Sequence, residues 1–386
     1  MQRGLPNAYD YQIFQIQKFG GISRGLAEII SHFPSDIAYD IAIKESDNVY
    51  LKEYNLDNNH SPISYQFSDF LPNVSFKGKR RIYNILSQRG WINSSDSINL
   101  HHSIEKIKKE DYDVFHPTYF STYFLKHIRK PFVLTVHDLT AENFPLYFNK
   151  FDYQKEGRKR LVPLASHIVV PSLSTKIDVM QNWNISEGRI SVIYWGGVSV
   201  NNKKYPDSIG CPYILYVGLR GGYKNFYFFI KSALPFLQKN KEVKIVCTGC
   251  NFTKSEIKFF QELHIANRVQ AKFVSTEELS GLYSNALCYA FPSLSEGFGL
   301  PILEAFSCGC PVLLSNKTCF PEIGGDAAFY FNEHNGHSDI SEKLDYIFNM
   351  TEGERLKTKD KGYERLTQFS WEKSATEYAQ VYKSLL

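Results

Sequence analysis

The chain has 386 residues, of which 43% are hydrophobic and 22% are charged, and its formal net charge is +4. This length exceeds a usual single domain and predicts two domains, each large enough to bury its own core. The mild positive charge argues against a nucleic-acid module with a dense basic stripe, whereas it permits phosphate ligands or an anionic membrane surface.

Short apolar runs alternate with longer amphipathic stretches along the chain, which predicts parallel sheets covered by helices. In the first half, we predict strands at residues 37–43, 113–115, 132–136, 167–170 and 191–194. In the second half, we predict them at 213–217, 243–248, 271–274, 287–291, 311–314 and 328–331. Polar residues and prolines at 198–212 have the composition of a linker. The predicted domains are therefore 1–197 and 213–368, followed by a terminal helix within 369–386.

A basic segment at 76–91 carries five cations among apolar residues at helical spacing. Such a helix either lies on an anionic bilayer or forms a solvated face over the core, and the sequence leaves both readings open.

The cysteines and the first residues of the chain indicate in which cellular compartment the protein works. Seven cysteines are scattered between Cys211 and Cys319, which predicts reduced thiols in a cytoplasmic protein. Cys247 and Cys250 have C-x-x-C spacing, but no second pair lies at zinc-ligand spacing, so a metal or redox role is not favoured. The first residues lack the apolar core of a signal peptide, and no run reaches the roughly 18 apolar residues of a membrane span. We therefore expect neither a membrane span nor export by a signal peptide.

A glycine-containing segment at 295–305 has the most informative pattern. Glu296 and Glu304 are separated by seven residues, Gly297 and Gly299 lie between them, and Pro301 suits the first turn of a helix. The start of such a helix offers unpaired N–H groups to a diphosphate, and a carboxylate within it can accept bonds from the vicinal hydroxyls of a ribose. A glutamate in a first helical turn can also simply complement the helix dipole, and a glycine loop can be only a turn. Together the features favour a nucleotide-sugar site.

A second loop follows the predicted strand at 213–217. It begins at Gly218 and carries Arg220 and Lys224 ahead of an aromatic-rich helix. Two cations in a flexible loop can stabilise the charge of a departing diphosphate, although a solvated turn has the same local composition.

The 296–304 segment resembles the E-x7-E signature of family 4 of the retaining glycosyltransferases. The resemblance implies the α/β fold called GT-B, in which two Rossmann-like, doubly wound domains face each other and a C-terminal helix crosses back to the first domain. It further implies that Glu296 contacts the donor sugar and that Glu304 contacts the ribose. The backbone of Phe298, Gly299 and Leu300 would contact the sugar and phosphates.

The 218–225 loop is similar to the phosphate-binding loop of the same family. The resemblance assigns Gly218 and Lys224 to the donor diphosphate. Arg220 is also assigned there, with a departure from the pattern: many members place the arginine directly after the first glycine or directly before the lysine, where this chain has Leu219 and Tyr223.

Two segments of the first half, the Gly-Gly loop and the loop at His137, resemble loops that face the donor across the cleft of the family. Gly21, in Gly-Gly-Ile-Ser-Arg, is assigned to the donor phosphates, and Arg24 to the acceptor side. His137 is assigned to the donor sugar, while Asp138 either orients that imidazole or caps the next helix. We also predict that His116, at the end of the preceding strand, and Asp138 lie on the acceptor side.

The resemblance implies transfer of a hexose, with mannose favoured, from a GDP- or UDP-sugar to a glycan or lipid-linked glycan in bacterial surface polysaccharide assembly, such as O-antigen. Catalysis would involve Glu296, His137, Lys224 and Arg220 with retention, and would require no metal or other cofactor. The enzyme would work in the cytoplasm, with membrane contact at its inner face left open. A nucleotide-sugar 2-epimerase of the same architecture and a non-catalytic sugar-nucleotide-binding protein remain as alternatives.

Overall fold

The computed structural model describes residues 5–57, 59–89, 91–149, 152–201, 203–334 and 336–386. The first half of the chain forms a parallel sheet from six strands: β1 (Leu5–Asp10), β2 (Ile37–Ala42), β3 (Val114–His116), β4 (Val133–Thr135), β5 (His167–Val170) and β6 (Ile190–Val192). Two ladders, in the orders β2-β1-β3 and β4-β5-β6, are joined by a parallel bridge between Phe115 and Phe132. These strands and the helices around them are called the first domain.

The helices of the first domain lie between its strands. They are α1 (Gln12–Ile16), α2 (Gly21–Ser31), α3 (Val49–Glu53), α4 (Lys79–Gln88), α5 (Ser95–Lys109), α6 (Thr140–Asn143), α7 (Tyr153–Leu164) and α8 (Leu173–Trp183). Because every strand pairing in this sheet is parallel, each connection must cross over the sheet, and the helices occupy those crossovers.

The second half of the chain forms the second domain around a six-stranded parallel sheet. Its strands are β7 (Tyr213–Tyr216), β8 (Lys244–Thr248), β9 (Val269–Lys272), β10 (Cys288–Phe291), β11 (Val312–Ser315) and β12 (Phe329–Phe331), in the order β12-β11-β10-β7-β8-β9. This is the doubly wound order, in which the chain moves outward from β7 in one direction and then returns to continue in the other. β7 and β10 are fully buried, as expected for strands covered on both faces.

The remaining elements cover this sheet and extend from its last strand. They are α9 (Phe226–Lys239), α10 (Lys254–Glu262), α11 (Thr276–Asn285), α12 (Leu300–Ser307), α13 (Phe320–Gly324), the hairpin of β13 (Glu333–His334) and β14 (His337–Ser338), α14 (Ile340–Phe348), α15 (Glu352–Leu366) and α16 (Trp371–Lys383). Within the described ranges, no helix is long and apolar enough to cross a membrane.

The terminal helix α16 packs on the first domain. Ser370 caps it by accepting a bond from the Lys373 amide, and its buried face includes Tyr378 and Tyr382. The Ser374 hydroxyl donates to the Tyr194 carbonyl, which follows β6, and contacts with α2 continue along the helix. The two Rossmann-like domains with a returning terminal helix confirm the predicted fold class.

Each predicted strand has an observed counterpart whose ends differ by at most two residues. Between β6 and β7, the described residues form neither a helix nor a strand. This stretch includes the predicted linker at 198–212, although the domain boundary itself stays a prediction.

Candidate functional site

The segment containing both carboxylates forms a strand, a glycine loop and a helix, as predicted. β10 ends at Phe291, and Gly299 precedes α12 with φ +95°, a left-handed conformation that favours glycine. Pro301 occupies the first turn of α12, where its missing N–H costs no hydrogen bond. Glu304 follows one turn later. In this first turn Pro301 has no N–H and the Ile302 amide donates to the Gly299 carbonyl at 2.9 Å, so the Leu300 amide is the donor that can bind an anion.

Gly297 allows this loop to approach the first domain. A Cβ atom at this position would lie 1.7 Å from the His137 carbonyl oxygen and 3.1 Å from the Asp138 Cβ atom. No side chain fits in that space, so the close packing of the two domains requires glycine here. A second contact across the cleft joins the hydroxyls of Thr140 and Ser295 at 3.0 Å.

Lys224 and Glu296 form an ion pair at the centre of the site. Lys224 Nζ donates to Glu296 Oε1 at 2.6 Å, and the side chains are 19% and 16% exposed. Burial lowers the pKa of Lys224, but Glu296, Tyr223 and Asp138 together outweigh burial and raise that pKa. The ammonium group is therefore charged at neutral pH. The structure thus brings together two residues that were predicted from separate motifs.

Arg24 and Glu304 form a second ion pair, and this one connects the two domains. Arg24 Nη1 on α2 lies 2.8 Å from Glu304 Oε1 on α12, and each side chain is 24% exposed. Arg24 was predicted to face the acceptor, whereas the structure places it against the carboxylate assigned to the ribose. Gly21, at the start of the same helix, faces Leu300, because a Cβ atom there would lie 3.9 Å from Leu300 Cδ1.

A cavity of about 280 Å³ borders this second ion pair. Its lining comes from α11, α12 and the chain that follows the first domain, and it includes Arg24, Val198, Ser199, Leu279, Tyr283 and Glu304. The cavity combines apolar side chains with hydroxyl and charged groups beside Glu304. Such a lining suits a planar base attached to a ribose.

His137 lies under the same loop and is 7% exposed. Its ring makes edge contacts with Trp195 and Phe120, at centroid distances of 5.6 Å and 6.4 Å. Burial lowers the pKa of His137 to about 4, so the imidazole is neutral at physiological pH. Within the described residues, His137 Nδ1 is buried without a hydrogen-bond partner.

Asp138 accepts a bond from the Thr140 amide at 2.9 Å, at the start of α6. Of the two roles left open for this residue, the structure therefore favours capping over orientation of the imidazole. Phe298, whose backbone was assigned to the donor, buries its ring against Tyr194, Trp195 and Phe369 and so anchors the glycine loop to the first domain and the terminal segment.

Arg220 is engaged elsewhere in the second domain. Its guanidinium lies 2.6 Å from Glu256 and donates to the carbonyls of Cys250 and Asn251. Within the described residues, no hydrogen bond or ion pair joins Arg220 to the Lys224 pair. The observed contacts tie the loop that begins at Gly218, where φ is +105°, to the loop after β8. A contact of Arg220 with a diphosphate stays a prediction.

His116 is fully buried beneath α16. One ring nitrogen bonds to the Tyr382 hydroxyl at 2.7 Å and the other to the Thr135 hydroxyl at 3.0 Å. Burial lowers the pKa of His116 to about 3, so the ring is neutral. Because both ring nitrogens are engaged, His116 has no nitrogen free to bind an acceptor sugar in this conformation. Its observed role is to join α16 to the first domain.

Sequence reasoning missed several residues that shape the cleft. Trp195 lies over His137, and a Cβ atom at Gly25 would come within 2.7 Å of its ring, so α2 needs a glycine there. Glu322 of the second domain accepts bonds from the Leu173 and Ser174 amides at the start of α8. The Trp-Gly-Gly run after β6 is a signal that could have identified Trp195. No sequence pattern indicated the partner of Glu322.

The chain contains one Asp-x-Asp run, at Asp111 and Asp113. It precedes β3, and Asp113 lies 3.8 Å from Lys130. The expectation that no metal is required is not tested by this arrangement and stays a prediction.

Two protein-family models match this chain. The model described as "Glycosyltransferase Family 4" matches residues 19–196, and the model described as "Glycosyl transferases group 1" matches residues 201–365. These matches end and begin within the segment that separates β6 from β7.

Similar curated proteins match part of the chain. The O-antigen chain mannosyltransferase RfbU of Salmonella typhimurium is 31% identical over 205 residues, which cover 52% of this chain and 56% of that protein. The O-antigen chain mannosyltransferase B of Escherichia coli is 37% identical over 115 residues, or 29% of each chain. The chain thus spans about half the length of the first relative and less of the second.

Among solved structures, Anabaena HepE in complex with UDP and glucose is similar with a TM-score of 0.68. The match covers 98% of this chain and 99% of HepE at 16% sequence identity. At this identity the similarity establishes the shared two-domain fold.

Proposed function

We propose that this chain, which belongs to glycosyltransferase family 4, transfers a hexosyl group from a nucleoside diphosphate sugar to a glycan acceptor. The proposal rests on one observation above all. Glu296, which pairs with Lys224, and Glu304, which borders the cavity of about 280 Å³, stand at the two ends of the loop and first turn that begin α12. One segment thus offers a cation, an amide donor and a ribose-binding carboxylate to a single ligand.

In the proposed complex, the diphosphate lies between Lys224 and the Leu300 amide at the start of α12. Glu304 accepts bonds from the ribose hydroxyls, and the base enters the cavity of about 280 Å³ beside it. Because the Glu304 carboxylate is paired with Arg24, the ribose hydroxyls must either share this carboxylate with Arg24 or displace Arg24 from it. Gly21 leaves room for the phosphates opposite the loop of the second domain.

The reaction proposed for this cleft proceeds with retention. The bond between the anomeric carbon and the leaving phosphate breaks while the acceptor oxygen attacks the same face, and the leaving phosphate takes the acceptor proton. Lys224 stabilises the charge that develops on that phosphate. Glu296 and neutral His137 bind hydroxyls of the sugar. No residue is assigned as a covalent nucleophile.

The proposed donor sugar is mannose, supplied as a GDP- or UDP-linked hexose. The two relatives named above are O-antigen chain mannosyltransferases, which supports both the sugar and a role in surface polysaccharide assembly. The proposed acceptor is a glycan, free or lipid-linked, at the cytoplasmic side of the membrane. We place the boundary between acceptor-side and donor-side domains at 198–212, with 369–386 returning to the first domain.

A calorimetric titration tests the donor site. The purified chain is titrated with GDP- and UDP-linked hexoses, with and without EDTA. We expect one donor to bind equally in both conditions and to lose affinity in Lys224→Ala. Lys241→Ala is the matched control, because Lys241 is an exposed lysine of the loop before β8. Failure of every donor to bind would contradict the proposal and favour a non-enzymatic role.

Product analysis separates transfer from the 2-epimerase alternative. The bound donor is incubated with candidate acceptors, and the sugar nucleotides are resolved by chromatography. Transfer releases a nucleoside diphosphate and extends the acceptor, whereas epimerisation yields a second sugar nucleotide without any acceptor. Appearance of that second sugar nucleotide would overturn the transferase assignment.

We also propose that α4 rests on an anionic membrane. Its outer face presents Arg81, Ile82, Ile85 and Arg89 at helical spacing, and Ile82 and Ile85 are 44% and 40% exposed. Trp91, just beyond the helix, is 70% exposed. Apolar side chains between arginines complement a bilayer whose headgroups are negative, so a membrane is the occupant that this face suits best.

Vesicle sedimentation tests this contact. We expect the chain to sediment with vesicles of phosphatidylglycerol and phosphatidylethanolamine and to remain in solution with phosphatidylcholine alone. The double variant Ile82→Ser/Ile85→Ser should lose sedimentation, while Ile177→Ser, at an exposed isoleucine of α8, should not. Equal sedimentation of both variants would contradict a role for α4.

A further inference from the structure

The ammonium group of Lys224 lies near two aromatic rings as well as beside Glu296. Its Nζ atom is 5.0 Å from the ring centroid of Tyr223 and 5.7 Å from that of Phe291, the last residue of β10. An ammonium group within about 6 Å of a ring centroid is attracted by the negative face of the ring. The two rings and the carboxylate together therefore fix the place of this charge.

Tyr223 is in turn covered by a ring from the first domain. Phe148 stacks on it, with 5.6 Å between the ring centroids and 19° between the ring planes, which is the offset arrangement that aromatic pairs prefer. Phe148 follows a short 3-10 turn, Pro145–Tyr147, beyond α6. A Cβ atom at Gly222 would lie 3.5 Å from the Tyr147 Cβ atom, so this segment also packs against the backbone before Tyr223.

The segment 137–148 of the first domain contacts both loops of the second domain that carry donor residues. Its first residue packs against Gly297 in the loop after β10, and its last residue stacks on Tyr223 in the loop after β7. The two loops are also joined to each other, because the Leu294 amide donates to the Tyr223 carbonyl at 2.8 Å. One segment of the first domain thus holds both loops in a single arrangement.

The orientation of Lys224 matters for the reaction proposed above. Arg220, the other cation of the described loop at 218–225, is engaged with Glu256 at 2.6 Å, which leaves Lys224 to meet the diphosphate. Negative charge grows on the leaving phosphate as the bond to the sugar breaks. An ammonium group that is already held in place stabilises this charge without having to reorient at that moment.

We infer that Phe148 and Tyr223 are positioning residues for Lys224. The inference rests on the proposed hexosyl transfer and adds to it the side chains, one from each domain, that hold the charge-stabilising ammonium group. Both rings act through Lys224 and not on the sugar. Because Phe148 belongs to the first domain, the stack forms only while the two domains face each other as they do here.

Hydrogen–deuterium exchange on the full chain tests the contact independently of activity. The amides of Lys224 and Asn225 donate to backbone carbonyls at 3.2 Å and 3.1 Å, so their exchange reports on the order of the loop. We expect Phe148→Ala to speed this exchange about threefold to tenfold, the factor that corresponds to loss of one ring stack. Phe148→Tyr keeps a ring and should exchange as the unaltered chain does. Leu146→Ala is the matched control, because Leu146 lies in the same segment and is 96% exposed.

Transfer kinetics test the positioning role. Phe148→Ala should lower kcat about threefold to tenfold and change the Kd of the nucleoside diphosphate less than about twofold, because every charged contact with that ligand is kept. Tyr223→Ala removes the stack together with the ring beside Lys224, so it should lower kcat further. The double variant should be no slower than Tyr223→Ala, since the stack is already absent there. Phe148→Tyr should keep the rate of the unaltered chain.

Three results would overturn the inference. The first is loop exchange in Phe148→Ala that equals the exchange in Leu146→Ala, and the second is an unchanged kcat in Phe148→Ala. The third is a double variant whose two losses in kcat multiply, because independent losses mean that the rings do not act through one contact. Absence of hexosyl transfer by the unaltered chain would contradict the proposed function instead, while loop exchange would still decide whether Phe148 orders Lys224. The two failures are therefore distinguishable.

Discussion

The Lys224–Glu296 pair gives a prediction whose size follows from the structure. Lys224→Met removes the charge and keeps most of the side-chain volume. Loss of one partner from a fully buried ion pair costs about 3–5 kcal/mol, because the remaining charge is left unpaired. The two side chains here are 19% and 16% exposed. Water therefore screens part of this penalty, and we expect the free energy of unfolding to fall by about 2 kcal/mol.

A double variant separates stability from catalysis. Lys224→Met combined with Glu296→Gln leaves no unpaired charge, so it should recover most of the stability lost in the single variant. It should not recover activity. Loss of one charged group that stabilises the departing diphosphate lowers kcat/KM by about 100-fold to 1000-fold.

The assay combines urea unfolding with initial rates of hexosyl transfer. Lys241→Met serves as the control, and it should match the unaltered chain in both measurements. The reasoning fails if Lys224→Met keeps kcat/KM within about threefold of the unaltered chain, or if the double variant regains the rate together with the stability.

Three further outcomes are expected. Glu304→Gln should raise the nucleotide Kd about tenfold or more in calorimetry, because the charge that accepts the ribose hydroxyls is lost, and an unchanged Kd would place the ribose elsewhere. Tyr382→Phe should lower the free energy of unfolding by about 1–3 kcal/mol in urea, since it leaves the buried His116 nitrogen and Tyr9 hydroxyl without that partner. The pKa values of His137 and His116 lie near 4 and 3, below the ordinary 6.5, so these two rings take up protons more readily in the unfolded chain. The free energy of unfolding should therefore be highest above pH 6.5 and decline as the pH falls toward 4. Thermal melts should show this decline, with a shallower slope in His137→Gln.

Local patterns predicted much of the fold and of the donor loop. The strand at 167–170 matches β5 residue for residue, because an apolar run bounded by polar residues depends only on its immediate neighbours. The start of α12 followed equally from Gly299 and Pro301, whose backbone preferences are intrinsic. Lys224 and Glu296 lie in the loops that follow β7 and β10, which are adjacent in the sheet, so their contact follows from the strand order and not from either motif alone.

Contacts between distant residues could not be predicted in the same way. Arg24 and Glu304 are separated by 280 positions, and their pairing depends on how the two domains face each other, which no local period encodes. Arg220 shows the same limit within one domain. In sequence it is a cation in a phosphate loop, yet the fold places the Glu256 carboxylate 2.6 Å away, and a buried guanidinium must satisfy its charge with the nearest carboxylate. A residue type thus indicates which chemistry a side chain can perform, whereas only the three-dimensional neighbours decide whether the group is free to perform it.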